Sequence, residues 1–465
     1  MKRSMVLAVL VSLIGAFAFI AAGCGGDDDE AAGTTGGGAG GTGEVQELPA
    51  ASCGPLEYEG EGEANALLVS DLPLQGGSRT QTLQMNEAIR YVLDQAGWKA
   101  GDTNIAFQPC DDSTAQAAKW DSAKCTQNAN NYAQNSSVVG VIGTFNSGCA
   151  QLIIPRLNRA AGGAIPMISP ANTLVCITEG GPGCADDEPD KYYPSGTRNY
   201  ARVAPHDAYQ GAAMAEYAQE KGVKSVYVLN DKESYGLGVA TNFRNAAESL
   251  GIKVLGFDAY DPRQASFEAV FTKIKGTDPD AVFIGGLIDE NSGQLINDKV
   301  AVLGDNTDNP DDGVMLLLPD GFTTDAVFDP GEGGTENARG AYFSVAGVPI
   351  DQFEGTGAEE FISGFEGTLG GEAVEPYSIY GAQAAEIFMD AIGQAGTDRA
   401  GILEAIFNFS VDDGLIGSFE INENGDPSAG EGAVVAFTIY KGTDKLETDS
   451  TISPKPEDVE AARGT

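Results

Sequence analysis

Short apolar runs alternate with amphipathic segments along most of the chain. The runs "ALLVSD", "NIAFQP", "VVGVIG" and "AIPMIS" have the length of strands. Between them lie longer segments such as "RTQTLQMNEAIRYVLDQAG", in which Met85, Ile89 and Val92 recur at helical spacing. The alternation resumes after a Gly-, Pro- and Asp-rich loop at residues 179–197. Two such runs predict an α/β fold with two lobes, each a parallel sheet flanked by helices.

The first 24 residues have the pattern of an export signal. Lys2 and Arg3 precede an apolar run from Met5 to Ala22, and a glycine then leads to Cys24. This order is typical of a secretory signal peptide. A transmembrane anchor is the alternative, because about 18 apolar residues can just span a bilayer. The sequence "AAGC" resembles the lipobox of bacterial lipoproteins, which implies cleavage before Cys24 and a lipid on that residue.

The segment that follows, residues 24–60, is predicted to be a flexible linker. It is rich in glycine and acidic residues and has few large apolar groups, so it cannot bury enough surface to order itself. As a random coil it would reach about 30 Å from the membrane.

Acidic residues outnumber basic ones 68 to 27, which leaves a net charge of −41. Such a surface repels phosphate backbones and anionic lipid headgroups, so we expect no nucleic-acid partner.

The cysteines favour disulfides over a metal. Cys24 aside, the sequence contains six: Cys53, Cys110, Cys125, Cys149, Cys176 and Cys184. An even number in an exported chain is typical of disulfides. There is no C-x-x-C pair and His206 is the only histidine, so we expect no metal site. Six cysteines allow fifteen pairings. Only Cys176–Cys184, across a short Gly/Pro loop, is favoured by the sequence.

Polar residues follow several apolar runs, where open α/β sheets bind their ligands. "TFNSG" places Ser147 at a helix start with free backbone N–H groups, and "ISPANT" ends another strand with hydroxyls and amides. Together these groups attract a carboxylate, although helix capping alone is the alternative for each. In the second lobe, Tyr235, Leu287 and Asp320 also follow strands, and an acid at such a place can meet an ammonium.

Ser147 is expected to hold a ligand rather than to attack one. A nucleophilic serine needs a nearby base, and His206 lies far along the chain in "RVAPHDAYQG". "FNSGC" does not match the G-x-S-x-G elbow of hydrolases, and no phosphate-binding loop is present. We therefore expect a protein that is not an enzyme and carries no cofactor.

The motifs "GTFNSG", "MISPANT", "ARVAPHDAYQG", "DKESYGLG", "LPDGF", "YSIYGAQ" and "IGSFEINENGD" occur in this order. With them the chain resembles, over residues 66–442, the type I periplasmic binding proteins of ABC transporters, in the leucine/isoleucine/valine-binding branch. The resemblance implies two α/β lobes joined by a three-strand hinge, closing over a ligand in the cleft between them.

The resemblance implies ligand-binding roles for Ser147, Ala171, Thr173, Tyr235, Leu287, Asp320 and Ser78. The first three match the positions that bind an amino acid's carboxylate and part of its ammonium, and Asp320 matches the acid that pairs with the ammonium. Tyr235 and the Leu287/Ile288 pair match wall positions. Ser78 lies near an aromatic contact of the family that is missing here, and Gly381 replaces the acid of the family's "YDA".

The expected organisation is a signal peptide (1–23), lipidated Cys24 with its linker (24–60), an N-terminal lobe (61–200 and 345–415), a C-terminal lobe (201–344 and 416–442) and a C-terminal tail (443–465). The expected function is a monomeric solute-binding lipoprotein on the outer face of the cytoplasmic membrane. It would deliver an amino acid to an ABC permease and its ATPase. The alternatives are an amide, urea-like or aromatic acid ligand, or a sensing domain without a transporter.

Overall fold

The computed structural model describes residues 45–353, 356–428 and 435–464. The predicted signal peptide, Cys24 and the first part of the linker lie outside the described residues. The strands are β1 (Ala66–Leu72), β2 (Lys99–Ala100), β3 (Thr103–Asp111), β4 (Ser113–Thr114), β5 (Lys119–Trp120), β6 (Val138–Gly143), β7 (Met167–Ser169), β8 (Tyr200–Arg202), β9 (Ser225–Asn230), β10 (Lys253–Ala259), β11 (Ala281–Gly285), β12 (Met315–Leu318), β13 (Tyr342–Ala346), β14 (Ser410–Gly414), β15 (Gly417–Ile421), β16 (Pro427–Ser428), β17 (Phe437–Gly442) and β18 (Leu446–Ile452).

The helices are α1 (Arg79–Gln95), α2 (Ser122–Gln134), α3 (Ser147–Leu157), α4 (Asp207–Glu220), α5 (Ser234–Ser249), α6 (Glu268–Lys275), α7 (Ser292–Leu303), α8 (Thr356–Glu366), α9 (Ser378–Ala395), α10 (Arg399–Phe407) and α11 (Pro456–Arg463). None of the helices in the described ranges combines the length and the apolar character that a bilayer span requires.

The first lobe is built on a sheet with the strand order β2-β3-β1-β6-β7-β8, parallel apart from the short β2. β1 is buried along its whole length because helices cover both faces of the sheet. Leu68 belongs to the apolar core that includes α1 and α9, whereas Leu67 and Val69 belong to the core formed with α2 and α3. The period-2 geometry of a strand therefore supplies both cores from one apolar run.

The second lobe is built on a sheet with the order β10-β9-β11-β12-β13-β17-β18, in which only β17 and β18 run antiparallel to their neighbours. The chain passes between the two lobes after β8, after β13 and between β16 and β17. The two-lobed α/β fold that the sequence predicts is confirmed. The carboxyl ends of β6 and β7 and those of β9, β11 and β12 are followed by the loops that carry the candidate ligand-binding residues.

Two segments outside the predicted lobes are ordered, and one of them, the end of the linker, is predicted to be flexible. The predicted tail contains β18, which pairs with β17, and α11, which packs on α4 and α5. The end of the predicted linker is also ordered, because Cys53 is bonded to Cys110 and Leu48 donates its amide to Gln108. Both segments are ordered by contacts with partners distant in the sequence, which local composition does not reveal.

Three disulfides join described cysteines: Cys53–Cys110, Cys125–Cys149 and Cys176–Cys184. The predicted Cys176–Cys184 pair is confirmed. The Cys125–Cys149 bond ties α2 to the first turn of α3, the helix that begins at Ser147.

Candidate ligand-binding site

All seven predicted ligand-binding residues are buried in the closed arrangement of the lobes: Ser147, Ala171, Thr173, Tyr235, Leu287, Asp320 and Ser78. Six of them lie in loops or first helical turns that follow parallel strands, and Ser78 directly precedes α1. Their ligand-binding roles stay predictions. The structure adds which of their polar groups already have partners and which do not.

Asp320 is an acid held by two tyrosines. Tyr235 donates its hydroxyl to Oδ1 at 2.5 Å, and Tyr377 donates its hydroxyl to Oδ2 at 2.7 Å. The Gly321 amide donates in turn to the Tyr235 hydroxyl at 3.1 Å. Burial raises the pKa of Asp320, although the tyrosine hydroxyls oppose this shift. The carboxyl group is thereby fixed in place, and each oxygen retains a lone pair for a ligand.

Tyr377 was not among the residues singled out from the sequence. It comes from the first lobe, directly before α9, and reaches Asp320 of the second lobe. Its ring also packs edge-on against Phe145, with 6.0 Å between the ring centroids. Tyr377 lies in the quoted motif "YSIYGAQ". A tyrosine in a helical pattern is usually a core residue, so the sequence alone does not indicate a contact with Asp320.

Asp207 is a second buried acid that sequence reasoning missed. It is the first residue of α4, and neither carboxyl oxygen has a hydrogen-bond partner among the described residues. Burial and the nearby charge of Asp320 raise its pKa well above the ordinary value. The signal in the sequence is an acid at a helix start after the strand "ARV". Asp207 and Asp320 both belong to the second lobe but lie on separate elements, α4 and the turn after β12, so only tertiary structure shows that they are close.

The loop after β7 is held rigidly by its own hydrogen bonds. The Ala171 and Asn172 amides donate to Ser169 Oγ at 3.1 and 2.8 Å, so the Ala171 amide is already engaged. The Leu174 amide donates a hydrogen bond to Ser147 Oγ at 3.4 Å. Thr173 Oγ1 is buried without a partner among the described residues. The Thr173 hydroxyl of this loop and the hydroxyl of Ser147 at the start of α3 are the groups proposed to contact a ligand, and Thr173 is also close enough to Asp207 to lower the pKa of that acid.

Behind this loop lies the guanidinium of Arg202, which is wholly buried. It donates to the carbonyls of Asn172 and Leu174 at 3.1 and 2.9 Å and pairs with Asp426 at 2.5 Å. Arg202 holds the pKa of Asp426 below its ordinary value despite burial. The Arg202 guanidinium therefore anchors the backbone carbonyls on both sides of Thr173.

His206 has no part in activating Ser147. Its Nε2 lies 2.9 Å from Arg463 Nη2, and burial lowers its pKa to about 3. A nucleophilic serine needs a base within hydrogen-bond reach. The structure describes no such contact between these two residues, so His206 does not act as a base for Ser147.

Polar contacts join the lobes around the cleft. Ser78 Oγ donates to Asp289 Oδ2 at 2.7 Å, and Ser234 Oγ donates to Gln151 Oε1 at 2.7 Å. Lys119 of the first lobe pairs with Glu290 and, at 3.2 Å, with Glu233. The Ser78 hydroxyl is thus engaged with the opposite lobe in this closed arrangement.

A family model described as a periplasmic binding protein matches residues 72–436. The chain belongs to the periplasmic binding protein family. It is of type I, of the kind that serves branched-chain amino acid ABC transporters. The resemblance stated from the sequence is confirmed.

Relatives of this periplasmic binding protein support the same assignment. It is 27% identical over 252 residues to Leu/Ile/Val-binding protein homolog 3 of Brucella melitensis biotype 1, a match that covers 54% of this chain and 62% of the relative. Its fold is similar to that of the leucine-binding protein LivK from Thermotoga maritima, with a TM-score of 0.69, 22% identity and coverage of 84% and 99% of the two chains.

A third similar structure is a solute-binding protein of an ABC transporter from R. palustris in complex with benzoate. The TM-score is 0.63 at 18% identity, with 84% of this chain and 97% of that chain covered. Family and fold are those of solute-binding proteins rather than of enzymes. The family also indicates an exported protein of the cell envelope.

Proposed function

We propose that this periplasmic binding protein is the lipid-anchored receptor of an ABC importer for an amino acid of branched-chain type or a similar zwitterion. The observation that carries the proposal is that each lobe contributes buried polar groups of a different kind at the ends of its strands. The first lobe contributes the hydroxyls of Ser147 and Thr173 at a helix start. The second contributes Asp320, fixed by two tyrosine hydroxyls.

Each half of a zwitterion fits one of these groups. A carboxylate is stabilised by N–H groups and the partial positive charge at the N-terminus of α3, where Ser147 stands. An ammonium next to Asp320 would offset the desolvation that raises its pKa. Because the two groups lie on different lobes, a ligand that uses both binds the closed state best and shifts the lobes towards it.

The remaining parts of the proposal rest on the sequence. A lipid on Cys24 would keep the protein at the outer face of the cytoplasmic membrane. The partners are the permease and ATPase of the transporter, and the receptor acts as a monomer without metal or cofactor at this site. A ligand-sensing receptor without a transporter would use the same cleft.

A second ligand class is favoured by Asp207, a wholly buried acid whose pKa is raised well above the ordinary value by burial and by the nearby Asp320. A carboxyl group that keeps its proton at neutral pH donates a hydrogen bond, which suits an amide, a urea-like compound or an aromatic acid. The rings of Phe145 and Tyr377 would contact an aromatic ligand.

The test is a thermal-shift panel with amino acids, small amides, urea and aromatic acids, followed by calorimetric titration of each compound that binds. At a hundred times its dissociation constant a ligand adds about 2.7 kcal/mol to the free energy of unfolding. Asp320→Asn should abolish the shift by an amino acid, and Ser147→Ala should weaken it. Asp102→Asn, at an exposed acid, should leave it unchanged.

A shift by an uncharged amide or aromatic acid that survives in Asp320→Asn would assign the second ligand class. No shift with any compound of the panel would contradict the proposed function.

A further inference from the structure

The first lobe contains a sealed group of oxygen atoms apart from the residues discussed so far. We call it the oxygen cluster, formed by the side chains of Asp71, Asp112, Asn128 and Tyr132. Asp71 lies near the carboxyl end of β1 and Asp112 directly follows β3, the neighbouring parallel strand. Asn128 and Tyr132 lie four residues apart on α2, so they share one face of that helix. All four residues are completely buried.

Five oxygen atoms of the cluster have no hydrogen-bond partner among the described residues. They are Asp71 Oδ2, both carboxyl oxygens of Asp112, Asn128 Oδ1 and the Tyr132 hydroxyl. Asn128 Nδ2 donates to Asp71 Oδ1 and to the Asp111 carbonyl, each at 2.9 Å. Those two bonds fix the orientation of the amide, whose oxygen has no partner among the described residues.

So many unpartnered atoms in one place need an explanation. More than about nine in ten buried polar groups in folded proteins have a partner, which is either protein, water or an ion. Asn128 is neutral and lies on a helix, so its orphan oxygen is an observation independent of the two acids, whereas the Tyr132 hydroxyl is close enough to the Asp71 carboxyl to lower the pKa of that acid. The four side chains come from three separate elements, and the carboxyl groups of Asp71 and Asp112 and the Tyr132 hydroxyl are close enough to interact electrostatically.

The charge of the cluster points to the missing partner. No ion pair with a described lysine or arginine involves Asp71 or Asp112, and the ammonium of Lys124 on α2 donates instead to the Ala51 carbonyl. The carboxylate of Asp111, the third acid nearby, accepts hydrogen bonds from the Leu74 and Ser113 amides. Two ionised carboxylates without a counter-charge are costly in a buried site.

Burial without a counter-charge disfavours the ionised form of both carboxyl groups. Burial raises the pKa of Asp71 to about 7, and it raises that of Asp112 well above the ordinary value, with the charge of Asp71 adding to the shift. A bound cation would reverse both shifts, because opposite charge favours the ionised form.

We propose that the oxygen cluster binds a hard divalent cation, with Ca²⁺ as the best fit. All its free donors are oxygens, and Ca²⁺ accepts six to eight oxygen ligands in flexible geometry. Cys125 and Cys149 each place a sulfur within 4.8 Å of an Asp112 oxygen, but these sulfurs form a disulfide. They are not the thiolates that zinc and other soft metals prefer.

Such an ion would be linked to the candidate ligand site through the Cys125–Cys149 disulfide. It would tie β1 and β3 to α2, and the Cys125–Cys149 disulfide joins α2 to the first turn of α3. That turn begins with Ser147, so the ion would stiffen the segment that offers its hydroxyl to the ligand. The metal site does not depend on the identity of the transported solute.

The experiment compares the melting temperature of the unlipidated protein with and without added cation, after prolonged equilibration with a chelator. The long equilibration is needed because a sealed site exchanges its ion slowly. We expect micromolar to millimolar CaCl₂ to raise the melting temperature by several degrees and calorimetry to show one strong site. Tb³⁺ in the same site should give luminescence excited through the Tyr132 ring, which Ca²⁺ displaces.

Variants separate this site from the weak ion binding of a chain with a net charge of −41. Asp112→Asn and Asp71→Asn should each remove the Ca²⁺ response and the Tb³⁺ signal. Asp102→Asn, at an exposed acid, should retain both. The proposal is overturned if neither Ca²⁺ nor Mg²⁺ stabilises the chelator-treated wild type. It is also overturned if the response persists unchanged in both cluster variants. In either case the oxygen cluster is not a cation site.

Discussion

Ser78 of the first lobe donates a hydrogen bond to Asp289 of the second, with 2.7 Å between Oγ and Oδ2. The Gly77 amide donates to Oδ1 of the same carboxylate. Both donors directly precede α1, so Asp289 lies at the positive end of that helix. One acid thus connects the lobes at the mouth of the cleft, and this contact can exist only while the lobes are closed.

We therefore expect Asp289→Ala to weaken ligand binding by about tenfold, mainly through faster dissociation. A hydrogen bond to a charged group contributes about 1.5–3 kcal/mol, and 1.4 kcal/mol corresponds to tenfold in affinity. Stopped-flow fluorescence would measure the two rate constants. Asp102→Ala is the control at an exposed acid. An unchanged dissociation rate would show that this contact does not hold the lobes together.

Tyr377 and Tyr380 form a matched pair on consecutive turns. Both are buried, but only Tyr377 donates to Asp320, whereas the Tyr380 hydroxyl has no partner among the described residues. Tyr377→Phe removes a bond that favours the ionised form of Asp320, so a cationic group should bind about tenfold more weakly. Tyr380→Phe should leave affinity unchanged. Equal effects of the two variants would contradict a specific role for the Tyr377 hydroxyl.

The buried pair of Arg202 and Asp426 allows a stability prediction. Arg202→Met leaves Asp426 without its partner and frees the carbonyls of Asn172 and Leu174, at an expected cost of about 3–5 kcal/mol in the free energy of unfolding. Adding Asp426→Leu should recover part of this loss, because it removes the uncompensated charge. Denaturant unfolding of both variants measures the difference. A double variant as unstable as the single one would mean that the carbonyl contacts dominate.

Asp231, at the carboxyl end of β9, predicts a pH dependence of stability. Burial and the charge of Glu290 raise its pKa to about 8, with Glu233 and Lys119 the other charged groups near it. The folded protein therefore keeps a proton that the unfolded chain releases above pH 4 or so. The free energy of unfolding should fall as the pH rises from there to about 8, by up to about 1.4 kcal/mol per pH unit for this group.

Unfolding curves at pH 5, 7 and 9 would test this prediction. Asp231→Asn keeps the shape of the side chain without the titration, so it should flatten the slope. The same slope in wild type and variant would assign the effect to other buried acids, such as Glu375 and Glu386.

Most of the architecture could be predicted because the local spacing of apolar residues indicates strands and helices. The run "ALLVSD" became a fully buried strand, and "RTQTLQMNEAIRYVLDQAG" became α1 nearly end to end. Ser147 was placed correctly at a helix start, since a strand followed by a small polar turn is a local signal. The folded end of the linker and β18 escaped prediction because their order depends on a distant disulfide and a distant strand.

The sequence by itself determined the two-lobed α/β class, the family and the loops that carry the candidate ligand groups, because strand and helix periods and short motifs are local properties. Tertiary structure alone decided which groups meet. It brought Tyr377 to Asp320 from the other lobe, engaged the Ser78 hydroxyl with Asp289 and gathered the oxygen cluster from β1, β3 and α2. The physical reason is that hydrogen bonds and charges act over a few ångströms in space, whatever the separation along the chain.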